Sequence, residues 1–267
     1  MQTSAVGAAG LVMFIAGAPV GRWAVHLVSA GLGCALAAGV VALPTLRPRE
    51  ALFIAVLGVA ITFSTLAGAG MDGVTRWHAI GPVSLHVSAL VAPALVVHCS
   101  RVIAARAGAS DVLLVTLQLA HIAQPDAGQA SAIGAAALVL SWQGAPAIRV
   151  ARVIVHGGCV ALAWSRPDPL LPAPFVEDIV ARARAVHVGL AVVLMLALVV
   201  SGLSSLAVRS TNARLRVSAW ALSAYLAGAA VAAGTGAFPF PLIGFAPSAV
   251  LGAYLGLAVL TRATRSA

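Results

Sequence analysis

Apolar runs recur along almost the whole chain, separated by short clusters of Gly, Pro and Arg. A helix needs about 20 predominantly apolar residues to cross a hydrocarbon core. Breaking the runs at those clusters predicts ten helical spans, at 4–20, 24–44, 51–69, 85–104, 110–123, 128–143, 148–164, 183–207, 217–235 and 247–261. The fifth and sixth are short, and only Gln124-Pro125-Asp126-Ala127-Gly128 divides them. A membrane β-barrel would alternate apolar and polar positions, and this sequence does not. The first apolar run lacks a basic leader, so it reads as a first span rather than a cleavable signal. The expected fold class is all-α: one polytopic transmembrane helix bundle spanning residues 1–267.

Composition sharpens this class. Of the 267 residues, 61% are hydrophobic and 9% charged, and the mean hydropathy is +1.03. A water-soluble domain of this size cannot hide that much apolar surface. The net charge of +9 would suggest nucleic acid in a soluble protein. Here every basic residue is Arg and the arginines sit at span ends, so orientation in a membrane is the better account and no nucleic-acid partner is expected. Cys34, Cys99 and Cys159 lie within apolar runs without CxxC spacing, and read as small buried residues.

Charge placement predicts which way the bundle faces. With the N-terminus inside, eleven arginines fall on inner segments and five (Arg22, Arg76, Arg166, Arg182 and Arg184) on outer ones. That is the bias of the positive-inside rule, so both termini are expected in the cytoplasm. Three segments then become unusual outer loops: Met71–Ser84, Ser165–Asp178 and Gly234–Ser248. The last is apolar yet rich in Gly and Pro, which suits a re-entrant segment against protein or a wet cavity; an ordinary hydrophobic loop is the alternative. Glu177-Asp178, left to itself, reads as an acidic helix start favoured by the helix dipole.

At these loops the sequence carries motifs. Asp72-Gly73-Val74-Thr75-Arg76-Trp77, then Ile80-Gly81-Pro82-Val83-Ser84 and Ser88, resembles the NGARRW…LGPFSFQPSE stretch of the SEDS family, the shape, elongation, division and sporulation proteins of the RodA and FtsW type. Gln124-Pro125-Asp126-Ala127-Gly128-Gln129-Ala130 is similar to that family's QPDLGTA. Thr235-Gly236, then Pro239-Phe240-Pro241-Leu242, Phe245 and Ser248, resembles TGIPLPFVSYGGSS, and Leu171-Pro172 through Glu177-Asp178-Ile179 resembles LPEAHTDFI. The four occur in the family's order, and the resemblance runs from about residue 51 onwards.

The resemblance implies a bacterial inner-membrane protein of peptidoglycan assembly, cell shape or division. The family polymerises lipid II, an undecaprenyl-linked substrate, alongside a single-span class B penicillin-binding protein. Glu177, or Asp178 with one inserted residue, would take the place of the family's essential Asp. A sugar hydroxyl is a poor nucleophile, so a carboxylate base is what such chemistry needs. The pyrophosphate leaving group needs positive charge, from arginine or a divalent cation, with Arg76 as first candidate and Arg182 and Arg184 nearby. Trp77, His86, Ser88, Gln124, Asp126, Thr235, Pro239, Pro241 and Ser248 would shape the substrate cavity.

The chain also departs from the family. Ala89 and Ala92 stand where the family has an acidic and a basic residue inside the fourth span, and such intramembrane charges are usually kept for function. The loop before Glu177 is short, and SYGGSS becomes Gly244-Phe245-Ala246-Pro247-Ser248-Ala249. A catalytically degenerate scaffold that binds a lipid or partner is therefore the competing expectation. Small-residue patches at Gly31–Ala35 and Ala227–Ala230 would suit partner docking or internal packing equally. A third expectation is a b-type haem held by two of His26, His86, His121 and His187; hydrogen-bonded helix histidines are the plainer reading.

Overall fold

The apolar runs form helices in the computed structural model, which describes all residues except 69, 82, 237 and 266–267, and residues 103–107 by backbone alone. Pro82 and Ala237, within two of the motif loops, and the side chain of Arg106 thus lie outside the described residues. The helices are α1 (Gln2–Ile15), α2 (Val20–Ala42), α3 (Pro48–Ser64), α4 (Val87–Ala123), α5 (Ala127–Ser141), α6 (Pro146–Trp164), α7 (Ile179–Val186), α8 (Val188–Gly202), α9 (Ala213–Thr235) and α10 (Pro247–Thr264). Pro48, Pro146 and Pro247 open their helices at the first turn, where the missing N–H costs nothing.

Although α4 is continuous as helix, it cannot be straight. Ser110 Oγ donates to Cys99 O at 2.9 Å, whereas eleven residues of straight helix would set them about 16 Å apart. Ser88 Oγ likewise lies 2.9 Å from His121 Nε2. The chain therefore reverses between two apolar arms, Val87–Val102 and Gly108–Ala123. These arms are the predicted fourth and fifth spans, so a turn that the sequence marks only with Arg and Gly is where the reversal falls.

The arms of α4 pack with α3, α5, α9 and α10, and α10 also packs on α2. Close approach rests on small residues. A Cβ on Gly252 of α10 would collide with the carbonyl oxygen of Ala89, so α10 and the first arm of α4 touch backbone to backbone. Of the two small-residue patches, Gly228 abuts Ser131 O and Ala135 of α5, while in the other Gly33 packs on the Tyr254 ring and Gly31, Leu32, Cys34 and Ala35 stay exposed. Outward faces stay apolar: Val28, Phe53, Ile154 and Leu196 are all exposed. Among the described residues five helices are long and apolar enough to cross a membrane, and an apolar belt of this extent is stable only under lipid. The chain is a helical membrane protein.

Two expectations change. The outer loop before α4 contains an antiparallel hairpin, β1 (Trp77–Ile80) with β2 (Val83–His86), pairing Trp77 with His86 and Ile80 with Val83. The predicted span at 183–207 keeps a membrane-length helical stretch from Val188 to Ala207, but its first residues belong to the short α7, with a break at His187. His187 is extended (φ −165°, ψ 133°), and its Nδ1 accepts from Gly189 N, which caps the new helix.

Candidate functional site

The loops that carry the motifs all gather at one end of the bundle, where the structure builds two linked clusters.

The first is a buried polar knot centred on Asp126, which caps α5 by accepting from Gln129 N at 3.0 Å. Its other oxygen lies 3.1 Å from His86 Nε2 and 3.9 Å from both Arg76 Nε and His121 Nδ1. His86 caps α4 through Nδ1, which accepts from Ala89 N, so a neutral His86 carries its proton on Nε2, towards Asp126. Burial alone would raise the Asp126 carboxyl. Arg76 and then His86 outweigh it and hold the group well below the ordinary carboxylate range.

Around this centre the other motif residues are mutually satisfied. Gln124 donates to Thr65 Oγ1 at 2.6 Å and to Thr62 O at 3.3 Å, and its Oε1 accepts from His121 Nδ1. That leaves His121 Nε2 to accept from Ser88. Tyr225 OH donates to Gln129 Oε1 at 2.6 Å. Trp77 packs its edge against the His86 ring at 5.6 Å and lies under the Arg76 guanidinium.

Arg76, expected to face a phosphate from an open loop, is 5% exposed. Its donors go to Gln124 O, Pro125 O and Asp168 Oδ2, the last at 2.6 Å. The structure thus places it as the tie between three loops rather than as an open anion contact.

The second cluster is the carboxylate turn ahead of α7. Glu177 Oε2 accepts from Ala173 N at 2.7 Å. Asp178 accepts from Phe175 N and pairs with Arg182, both at 2.6 Å. Both acids are only half-buried. Burial, helped by nearby Asp178 and Asp168, pushes the Glu177 carboxyl above its ordinary range despite its backbone hydrogen bonds. The Phe175 ring carries two guanidinia, Arg182 at 4.4 Å and Arg22 at 6.0 Å. Arg22, which also donates to Pro174 O, carries no motif. Its role depends on a contact 152 residues away, and the only sequence hint was its place among the outer arginines. Arg184 is exposed.

The 238–248 segment joins the clusters. Phe245 N donates to Phe175 O at 2.7 Å, and a Cβ on Gly244 would strike Val176 O, so the segment lies directly against the carboxylate turn. At its other end Ser248 Oγ accepts from His86 N at 2.9 Å. Pro241, Leu242 and Ile243 are buried and Pro239 partly so, so this irregular backbone is covered by protein. Thr235 differs: it is exposed, and its hydroxyl turns back to Val231 O and Ala232 O of its own helix.

The histidines are dispersed by the fold. His86 and His121 share the Asp126 knot, His26 is buried in α2, and His187 breaks α7 from α8. Among the described residues no group of three or more His, Cys, Asp or Glu is disposed to hold a metal ion.

No family model and no curated protein matches the chain. Solved structures do. The chain is similar to the crystal structure of Thermus thermophilus rod shape determining protein RodA, with a TM-score of 0.74 at 18% identity, covering 99% of this chain and 94% of that one. An Asp-to-Ala mutant of the same protein gives a TM-score of 0.73 at 18% identity, covering 99% and 95%. Identity this low speaks for the fold alone. The RodA fold therefore extends through the first two helices, where the motif resemblance had run out.

Proposed function

We propose that the chain is a divergent SEDS-type protein of peptidoglycan assembly. It crosses the bacterial inner membrane ten times with both termini in the cytoplasm, and its two polar clusters face outward. The reversal within α4 supports the ten crossings, and the arginine bias supports the orientation.

The observation that carries the reading is a RodA fold over the whole chain, with Glu177 in a turn pressed against the 238–248 segment. In this reading the protein polymerises lipid II. An acceptor hydroxyl attacks the anomeric carbon of the lipid-linked donor glycan, the bond to the undecaprenyl pyrophosphate breaks, and Glu177 takes the hydroxyl proton. A half-buried carboxyl of raised proton affinity suits that task. Charge on the departing pyrophosphate is met by Arg22, Arg182 and Arg184 or by a divalent cation, while Arg76, Asp126 and His86 hold the loops in register. Asp178 orients Arg182.

A second reading, a membrane scaffold without chemistry, is favoured by one feature. Ala89 and Ala92 are buried, and α10 closes on that stretch at Gly252, so backbone packing occupies the place of the family's charged pair. Lipid II polymerisation by the purified protein with its cognate class B transpeptidase separates the two. Product from wild type and none from the Glu177→Gln, Asp178→Asn double variant supports the enzyme. No product from either supports the scaffold.

A further inference from the structure

At the opposite end of the bundle three arginines converge on one short segment. Arg101, from the first arm of α4, donates to Leu46 O at 2.9 Å. Arg262 of α10 donates to Pro44 O, and Arg265 donates to Val41 O at 2.9 Å. Val41 is in the last turn of α2, where a helix leaves its carbonyls free, and Pro44 and Leu46 lie in the connection to α3, so the arginines tie down the helix end and the segment after it.

These carbonyl contacts account for one donor of each arginine and leave the rest. Arg262 is 9% exposed, and its buried Nε has no hydrogen-bond partner. His98, one turn before Arg101, is 2% exposed with Nδ1 buried and unpartnered. Among the described residues none of the three arginines forms an ion pair. Asp111, the carboxylate of the second arm at this end, is held by Arg152 at 2.8 Å. Glu50 at the start of α3 accepts from Arg47 N at 2.7 Å. Arginines placed only to orient a span extend into water, whereas Arg262 is folded inward beside Arg101 without a counter-ion. Guanidinia so arranged suit an anion with several acceptor oxygens.

We propose that Arg101, Arg262 and Arg265, with His98 beneath them, bind the phosphate of an anionic phospholipid headgroup where α2, α4 and α10 meet. Assigning that lipid to the cytoplasmic leaflet rests on the orientation proposed above; binding itself does not, and it is independent of lipid II polymerisation. A headgroup there would clamp the 41–46 segment between three helices.

The test is native mass spectrometry of the detergent-purified protein titrated with dioleoyl phosphatidylglycerol or phosphatidylcholine. Wild type is expected to retain phosphatidylglycerol preferentially, and Arg101→Gln with Arg262→Gln to weaken it on the order of tenfold. Arg47→Gln with Arg49→Gln removes the same charge from exposed positions nearby and is expected to leave retention unchanged. If the first double variant does not fold, Arg101→Gln alone, at a half-buried position, is expected to show a smaller loss in the same direction. Displacement by inorganic phosphate would assign the site to the free anion, and retention in its presence to the lipid headgroup. Equal loss in both double variants, or no preference for phosphatidylglycerol in wild type, overturns the proposal.

Discussion

Arg76 Nη2 donates to Asp168 Oδ2 over 2.6 Å, joining positions 92 residues apart. The same guanidinium reaches Gln124 O and Pro125 O, so one buried side chain locks the segment before β1, the α4–α5 connection and the loop after α6 together. Its charge also serves Asp126, 3.9 Å from Nε. Removing it strands two carboxylates at once, of which Asp126 is almost wholly buried.

Arg76→Gln is therefore expected to destabilise the protein by about 3–5 kcal/mol, the usual cost of breaking a buried ion pair. Arg76→Lys should fall between, because an ammonium keeps the charge but not the forked donors. Reversible unfolding in mixed micelles measures this. A loss below about 1 kcal/mol, typical of surface pairs, would mean that the knot does not hold the loops.

Gly252→Ala tests the tight α4–α10 seam. The new Cβ would meet backbone at Ala89 O and Leu90 O, which no rotamer change can move. The expected loss is about 1–3 kcal/mol. Gly31→Ala, inside α2 where nothing lies within 4 Å, should not lower the melting temperature and should raise it slightly through helix propensity.

Ser248→Ala removes the acceptor of His86 N. An amide left unsatisfied costs about 1–3 kcal/mol, and the change should free one end of the 238–248 segment. Amide exchange in that segment is expected to quicken while exchange in α5 stays as it is. Unaltered exchange would uncouple the segment from the knot.

Glu177 gives the pH dependence its sign. Its carboxyl titrates above the ordinary range because burial disfavours the charge. A raised native pKa favours the folded state below the unfolded value, about 4.3, and that advantage is lost as pH rises through the native one. Glu177→Gln should thus be more stable than wild type above that point. Polymerisation runs the opposite way, since the base must be ionised, and its rate should rise with pH through a value above the ordinary carboxylate range. A rate flat across that range would remove Glu177 as base.

Much of this fold is written locally. Length and apolarity marked the spans, and Gly, Pro and Arg marked their ends, including the α4 reversal. The turn around Gln124–Asp126 could be placed because its chemistry is contiguous. What escaped has physical reasons. The β1–β2 hairpin has strands of four residues, too short for alternation to stand out. No Gly or Pro lies between Phe175 and His187, and the residues that follow stay apolar, so the α7–α8 kink is not marked in the sequence. Arg76 in a loop beside Trp77 looked solvent-facing because Asp168 is distant in sequence. Arg22 was silent for the same reason, its contacts being Pro174 O and the Phe175 ring. Local pattern thus marked Glu177, Asp178 and the arginines just after them, but not Arg22, which reaches the same turn from the far end of the chain.

The proposed function stands or falls with Glu177 acting as the base in lipid II polymerisation. Its most direct test is glycan-strand formation from lipid II by the purified protein with its cognate transpeptidase, comparing wild type, Glu177→Gln and Asp178→Asn. The expected result is strands from wild type, none from Glu177→Gln, and a reduced yield from Asp178→Asn, whose partner Arg182 loses its ion pair. Strands from Glu177→Gln at the wild-type rate would remove Glu177 as base, and none from wild type itself would rule out a polymerase.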